Sequence, residues 1–92
     1  MAATLYLVIE HFRHGAEPVY RRFREQGRLA PDGVTYIGSW IDTPVTRCWQ
    51  IMQADDRTLL EKWMANWSDL VDFEVHEVIT SAEAAAKVLK TE

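Results

Sequence analysis

The sequence predicts an α+β domain with the element order strand, helix, strand, strand, helix, strand, followed by an extra C-terminal helix. Four segments are rich in β-branched and aromatic residues or alternate apolar with polar residues, which is typical of strands. Two segments between them repeat apolar residues at a spacing of three or four, which is typical of helices. This order predicts a ferredoxin-like βαββαβ unit, a four-stranded antiparallel sheet with both helices on one face.

The first strand and the first helix occupy the first third of the chain. Strand formers run from Thr4 to Phe12, and Arg13-His14-Gly15 then interrupts them. Pro18 suits a first helical turn, and apolar or small residues recur every four positions from there to Arg28. We therefore expect a helix of roughly 13 residues, which ends before the turn Pro31-Asp32-Gly33.

A hairpin fills the middle of the chain. Its strands are predicted from about Val34 to Ile41 and from Arg47 to Ala54, joined by the loop 42–46. Pairing Asp42 with Thr46 sets the expected register. That register places three pairs opposite each other: Trp40 with Cys48, Gly38 with Gln50, and Tyr36 with Met52.

The last third of the chain is predicted to hold two helices around one strand. Asp55 or Asp56 offers an N-cap for a helix through Asn66, and alternation from Val71 onward indicates the fourth strand. Ser81 is expected to cap an alanine-rich helix over 82–90. Because so short a helix is marginal alone, we expect it to dock on its own subunit or on a partner, the alternative being a frayed tail.

Composition favours one globular domain over residues 1–92, with residues 81–92 as a helical tail. Hydrophobic residues make up 48% and charged residues 26%, which argues against disorder. No stretch approaches the roughly 20 apolar residues that cross a bilayer, and no signal-peptide pattern opens the chain. A cytoplasmic protein that does not act at a membrane is therefore expected. The single Cys48 excludes an internal disulfide and is expected to be a small buried residue.

Charge and metal-ligand spacing narrow the functional classes. The net charge is −4, and the basic residues cluster only within 11–30, so nucleic acid is not expected as a partner. His11 and His14 stand at a strand end with no cysteine or second acidic cluster to complete a metal site. No metal and no cofactor are expected.

Alternation along the strands predicts two faces of the sheet. The first strand should be central, between the third and the fourth. The face covered by the helices is expected to hold Leu5, Leu7, Ile9, Ile37, Ile41, Trp49, Ile51, Val71, Phe73 and Val75. The uncovered face is expected to hold Tyr6, Val8, Glu10, Tyr36, Trp40, Cys48, Gln50, Met52, Glu74 and His76. An uncovered face with so many aromatic residues should be covered by something.

Several stretches resemble a short bacterial family of unknown function. They are 5–12 (LYLVIEHF), 28–33 (RLAPDG), 39–42 (SWID), 47–50 (RCWQ) and 67–71 (WSDLV), and the similarity spans nearly the whole chain. The predicted topology is similar to that of the dimeric α/β-barrel proteins. That resemblance implies a homodimer formed through the uncovered sheet face. It implies no single activity, because such proteins include cofactor-independent monooxygenases, haem-degrading enzymes, isomerases and proteins without a clear reaction.

Candidate site residues lie on the face expected to be uncovered. Glu74 and His76 are two residues apart on one strand, with Glu10 on the adjoining strand, and a carboxylate beside an imidazole provides a general base. The alternative is a polar subunit contact. The remaining candidates, which can line an aromatic pocket for a flat ligand, are Tyr6, Tyr36, Trp40, Cys48 and Gln50.

Two functional hypotheses follow. The first is a binding or structural module without catalysis, with a cleft on the sheet face for a small hydrophobic or aromatic molecule. The second is a cofactor-independent monooxygenase or isomerase acting on an aromatic or polyketide-like substrate. In this second hypothesis His76 is the base, Glu74 or Glu10 orients it, and Trp40 stacks on the substrate.

Overall fold

A computed structural model describes residues 3–89 of the chain. The elements follow the predicted order. They are β1 (Thr4–Phe12), α1 (Glu17–Gln26), β2 (Val34–Ile41), β3 (Arg47–Ala54), α2 (Arg57–Ala65), β4 (Val71–Val78) and α3 (Ser81–Val88). Among the described residues, no helix is both long and apolar enough to cross a membrane.

The four strands form one antiparallel sheet in the order β2-β3-β1-β4. Both helices pack on the same face, where Val19 of α1 and Leu60 of α2 join Val8 and Met52 in one buried cluster. This is the predicted ferredoxin-like arrangement, with β1 between β3 and β4, and α3 added at its end. The face under α1 and α2 is called here the covered face, and the opposite one the open face.

The prediction of which β1 and β3 residues face the helices was wrong. Val8 lies opposite Val75 of β4 and opposite Gln50 of β3, and directly opposite residues share a face. The predicted uncovered residues that in fact lie on the covered face are Tyr6, Val8, Glu10, Tyr36, Cys48, Gln50 and Met52. The predicted covered residues that lie on the open face are Leu5, Leu7, Ile9, Trp49 and Ile51. A shift of one residue exchanges the faces of a whole strand.

The remaining face predictions were correct except at Ile37. Val71, Phe73 and Val75 of β4 pack into the covered core. Ile41 shares the covered face with its partner Cys48, and the predicted uncovered residues Trp40, Glu74 and His76 do lie on the open face. A bulge between Tyr36 and Gly38 displaces Ile37, which is exposed.

The hairpin register also differs from the prediction near its loop. Trp40 pairs with Trp49 and Gly38 with Ile51, whereas Tyr36 does pair with Met52 because the bulge restores the expected register. The loop is closed by Asp42, whose Oδ1 accepts hydrogen bonds from the backbone N–H groups of Thr46 (2.7 Å) and Arg47 (3.0 Å). Arg47 forms an ion pair with Asp42, with Nε 3.6 Å from Oδ2.

The helices begin and end close to the predicted residues. Helix α1 ends at Gln26 because Gly27 has a positive φ of 74°, two residues before the expected end at Arg28. The N-cap of α2 is Asp56, whose side chain accepts from the backbone N–H groups of Thr58 and Leu59.

Helix α3 is capped by Thr80 rather than by Ser81. Thr80 forms a capping box with Glu83, and this reciprocal pair defines the first turn. The helix buries no side chain and Val88 is 78% exposed, so it does not dock on its own subunit, and docking on a partner stays a prediction. The sequence of the helix gives little basis for packing against the domain, because it contains only two large apolar residues. Its predicted end at Lys90 lies outside the described residues.

We expect Gly27→Ala to destabilise the protein by about 1–3 kcal/mol. Gly27 has a φ of 74° and a ψ of −161°, a backbone conformation that essentially only glycine adopts. A Cβ there meets nothing within 4 Å, so the loss comes from the backbone alone. Urea unfolding measures it, with Gln26→Ala at the neighbouring exposed helical position as the control. A Gly27→Ala variant as stable as Gln26→Ala would contradict this account.

Candidate functional site

A cavity of about 110 Å³ lies between the covered face of the sheet and the helices. Its lining residues come from β1, α1, the loop after α1, the hairpin, α2 and the turn after α2. They are Glu10, Phe12, Val19, Tyr20, Phe23, Arg28, Ser39, Cys48, Gln50, Trp63 and Trp67. An aromatic-rich cavity with a few polar groups is the usual form of a small-molecule site.

Glu10 is a buried carboxyl group on the β1 side of this cavity. It is 8% exposed and accepts a hydrogen bond from the Nε2 of Gln50, which is also buried. Burial raises the pKa of Glu10 to about 7, against the opposing effects of the Gln50 hydrogen bond and the Arg28 charge. At neutral pH the carboxyl group therefore exists in comparable amounts as acid and as carboxylate.

Arg28 carries the positive charge at the cavity. Its Nη1 lies 3.4 Å from Gln50 Oε1, so Gln50 links the guanidinium to the Glu10 carboxyl group. The guanidinium carbon lies 3.6 Å from the ring centroid of Tyr36 and 5.0 Å from that of Phe23. Two aromatic contacts and a polar link hold Arg28 in a defined position.

Helix α2 fixes the backbone that carries Arg28. The indole N–H groups of Trp63 and Trp67 both donate to the carbonyl oxygen of Arg28, at 3.1 and 2.9 Å. Asn66 Nδ2 donates to the next carbonyl, that of Leu29, at 3.0 Å. Since Leu29 has a positive φ of 62°, these bonds stabilise an unusual backbone conformation for a residue with a side chain. Trp63 on α2 and Trp67 in the turn after it thus determine where the Arg28 side chain begins.

Cys48 lines the cavity but is not a reactive thiol. Burial, with a smaller contribution from the charge of Glu10, raises its pKa to about 12. The thiolate is the nucleophilic form, and almost none is present at neutral pH. Cys48 therefore acts as part of the wall.

Glu74 and His76 lie close together on the open face, away from the cavity. His76 Nε2 is 2.7 Å from Glu74 Oε2, and His11 Nε2 is 3.8 Å from Glu74 Oε1. The imidazole hydrogen bond lowers the pKa of Glu74. All three side chains are about half exposed. Within residues 3–89 no cluster of histidine, cysteine or acidic residues is arranged to hold a metal ion.

The structure divides the sequence-predicted candidates into separate groups. Glu10, Cys48 and Gln50 meet in the cavity. Tyr6 belongs to the buried core, and Tyr36 stacks beneath Arg28 at the edge of the sheet. Trp40, Glu74 and His76 are on the open face, so Glu10 and the Glu74–His76 pair do not share one cleft.

Most of the cavity-lining residues were not among the site residues predicted from the sequence. Those not predicted are Phe12, Val19, Tyr20, Phe23, Arg28, Ser39, Trp63 and Trp67. Two signals were present in the sequence: the cluster of arginines in 11–30, and two tryptophans four residues apart, at 63 and 67. Neither signal was informative until the covered face was known.

Comparisons with known proteins identify a family but no activity. No curated protein matches the chain. No solved structure matches it either. Residues 4–92 match a family described as a domain of unknown function (DUF3303). Because the match spans nearly the whole chain, the protein belongs to this family of unknown function.

Proposed function

We propose that the protein binds a small, flat organic molecule in the cavity between the sheet and the helices. The observation that carries this proposal is Glu10, a buried carboxyl group at the cavity whose only hydrogen-bond donor among residues 3–89 is Gln50. Burying a carboxyl group is costly, and groups buried in this way in a cavity are characteristic of binding and active sites. The proposed site lies on the covered face instead of the face first expected.

The chemistry of the ligand follows from the lining. Tyr20, Phe23, Trp63 and Trp67 offer aromatic surface for a flat apolar body. Arg28 and the Glu10 carboxyl group offer donors and acceptors for one polar group of the ligand. A cyclic molecule with a single carbonyl or hydroxyl group fits this combination.

Titration with 2-indanone tests the proposal. The bicyclic ketone should quench tryptophan fluorescence in a saturable manner, because Trp63 and Trp67 line the cavity. In ¹H–¹⁵N spectra the amide signals of α1 and of residues 48–50 should shift at the same ligand concentrations. Indane has the same rings without the carbonyl group and should bind about tenfold more weakly, since a lost hydrogen bond costs on the order of 1 kcal/mol.

Two phenylalanine substitutions on β2 supply the matched control. Ser39→Phe places a ring at the cavity wall and should abolish binding of 2-indanone. Thr35→Phe places the same ring on the open face, because Thr35 lies opposite Gln53, and should leave the affinity unchanged. Non-saturable quenching in the unmodified protein, or equal affinities of the two variants, would refute a site in this cavity.

We also propose that two copies of the chain associate through their open faces. Leu7, Ile9, Trp49 and Ile51 form an apolar surface there, and Trp40 beside them is 65% exposed. Four strands about 4.8 Å apart, each rising about 3.4 Å per residue, present a face of roughly 19 by 27 Å. Its projected area of about 510 Å² lies at the small end for specific interfaces, whose standard size is about 800 Å² per partner. A second copy, with the same apolar centre, is its natural complement.

Trp40→Glu should convert the protein from a dimer to a monomer. The carboxylate would be buried without a partner against the apolar surface of the second copy, which weakens association about 100-fold or more. Sedimentation equilibrium measures the change. Ala65→Glu adds the same charge on the helical side and should remain dimeric. A monomeric unmodified protein, or dimeric Trp40→Glu, would contradict the proposal.

The enzymatic alternative with His76 as base has weaker support. The Glu74–His76 hydrogen bond provides the required pairing, but neither side chain lines the cavity. A general base must lie within hydrogen-bond reach of the proton that it removes, so His76 cannot act on a molecule held in the cavity. Any catalysis within one subunit is better assigned to the groups around Glu10.

A further inference from the structure

Building on the proposed binding function, we propose that the cavity catalyses proton transfer on an enolisable ketone. Glu10 is the base that removes a proton from the carbon next to the carbonyl group, and the Arg28 guanidinium donates a hydrogen bond to the carbonyl oxygen. The substrate class is a flat cyclic ketone that passes through its enolate, and the product is the same ketone with that proton exchanged or the isomer formed by a 1,3-proton shift. Glu10 and Arg28 are thus assigned as catalytic residues.

Glu10 has an oxygen available for this step. One carboxyl oxygen, Oε2, is occupied by the Gln50 side chain, which orients the group. The other accepts no hydrogen bond within residues 3–89. Among these residues no fully buried side-chain oxygen or nitrogen lacks a partner, so this second oxygen is reachable from the cavity. A fixed carboxyl group with one free oxygen facing an apolar cavity is the arrangement that a general base requires.

Arg28 is placed to stabilise the negative charge that develops on the carbonyl oxygen of the substrate. Gln50 separates it from Glu10, with its amide oxygen toward Arg28 and its amide nitrogen toward Glu10. The base and the cation therefore flank a single side chain, and all three residues line the same cavity. Because Tyr36 and Phe23 hold the guanidinium, little reorganisation is needed as the enolate forms.

The reaction balances without an oxidant or a cofactor. A carboxyl oxygen of Glu10 takes the proton, the C–H electron pair becomes the C=C bond, and the carbonyl π pair moves to the oxygen held by Arg28. Return of the proton to the same carbon regenerates the ketone. In a conjugated substrate, return to the third carbon gives the isomer.

The raised pKa of Glu10 suits both the removal of the proton and its return to the substrate. Burial raises its pKa to about 7, so carboxylate is available to accept a proton and the acid formed is able to return it. Cys48 does not compete, because its own raised pKa keeps the thiol protonated.

Deuterium exchange into 2-indanone tests the proposal. The ketone is dissolved in D₂O with the full-length protein, and loss of its C–H signals is followed by ¹H nuclear magnetic resonance against a protein-free sample. The exchange rate should rise with pH and level off above the pKa of Glu10. Glu10→Gln should lower the protein-dependent rate about 100-fold or more, because the amide accepts no proton. Arg28→Met keeps an apolar stem and should lower it at least tenfold.

Two controls separate chemistry from folding and from binding. Glu77→Gln and Arg24→Met make the same changes at exposed positions outside the cavity and should exchange at the unmodified rate. Saturable fluorescence quenching with exchange no faster than in buffer would overturn the catalytic proposal and leave the binding proposal standing. Absence of saturable quenching would overturn both. Equal deuterium-exchange rates in Glu10→Gln and the unmodified protein would also overturn the catalytic assignment, provided that circular dichroism shows both proteins to be folded.

Discussion

Replacing Trp63 by alanine should lower the free energy of unfolding by about 3–5 kcal/mol. The side chain is 1% exposed and packs in the covered core, with its ring centroid 5.6 Å from that of Phe73. Its indole N–H also holds the carbonyl oxygen of Arg28. A loss of this size is a large share of the roughly 5–15 kcal/mol that stabilises a typical domain. Urea unfolding followed by circular dichroism measures it.

Two further variants separate packing from hydrogen bonding at Trp63. Trp63→Phe keeps most of the ring but removes the N–H group, and should cost about 1 kcal/mol for the hydrogen bond plus a smaller packing loss. Trp40→Ala removes an exposed tryptophan and should cost far less than Trp63→Ala when the protein is dilute enough to be monomeric. Comparable losses for Trp40→Ala and Trp63→Ala would show that the covered face has been misidentified.

Replacing Glu10 by glutamine should change the free energy of unfolding more favourably at pH 8 than at pH 4. The stability difference between the variant and the unmodified protein should shift by about 3 kcal/mol between these pH values, in favour of the variant at pH 8. The pKa of Glu10 is raised from 4.5 to about 7 in the folded state. Between these values the folded protein binds more protons than the unfolded chain, so the stability due to Glu10 falls as the pH rises. The stabilisation due to Glu10 is fully present below pH 4.5 and is lost as the pH rises through about 7. Above that range the stability due to Glu10 changes no further.

The difference between the two unfolding curves isolates Glu10 from other titrating groups. The pKa values of Asp42 and Asp69 are lowered to about 2 by their hydrogen bonds, so their contributions change at lower pH and in the opposite sense. Urea unfolding at several pH values, with Glu77→Gln as the exposed control, gives the curve. A stability difference between Glu10→Gln and the unmodified protein that is constant from pH 4 to pH 8 would contradict a buried, titrating Glu10.

Local sequence signals were sufficient for the elements and their connection. The predicted bounds of β1, β2 and β3 match the structure, because strand formers there end at clear turn residues such as Gly15 and Gly33. Asp56 was identified as one of two possible caps, since a carboxylate before a helix has few other local roles. The strand order followed from the element order.

The site could not be predicted in the same way. In β1 and β3 both alternating sets contain large apolar residues, so the pattern does not distinguish the two faces. Glu10 and Gln50 were assigned to the uncovered face, whereas they satisfy each other inside the core. The alternation in β4 is unambiguous, but it constrains β1 only through the antiparallel register that pairs Val75 with Val8. Local reasoning had no access to that register.

The sequence by itself therefore determined the strands, the helices, their order and the antiparallel sheet. The tertiary structure alone decided which face the helices cover, and with it the cavity around Glu10, Gln50 and Arg28. The physical reason is that secondary structure depends on neighbours along the chain. Which side of an apolar strand is covered by the helices depends instead on its register with other strands. A polar pair is stable in the core only when both partners meet there, and this condition is set by residues 40 positions apart.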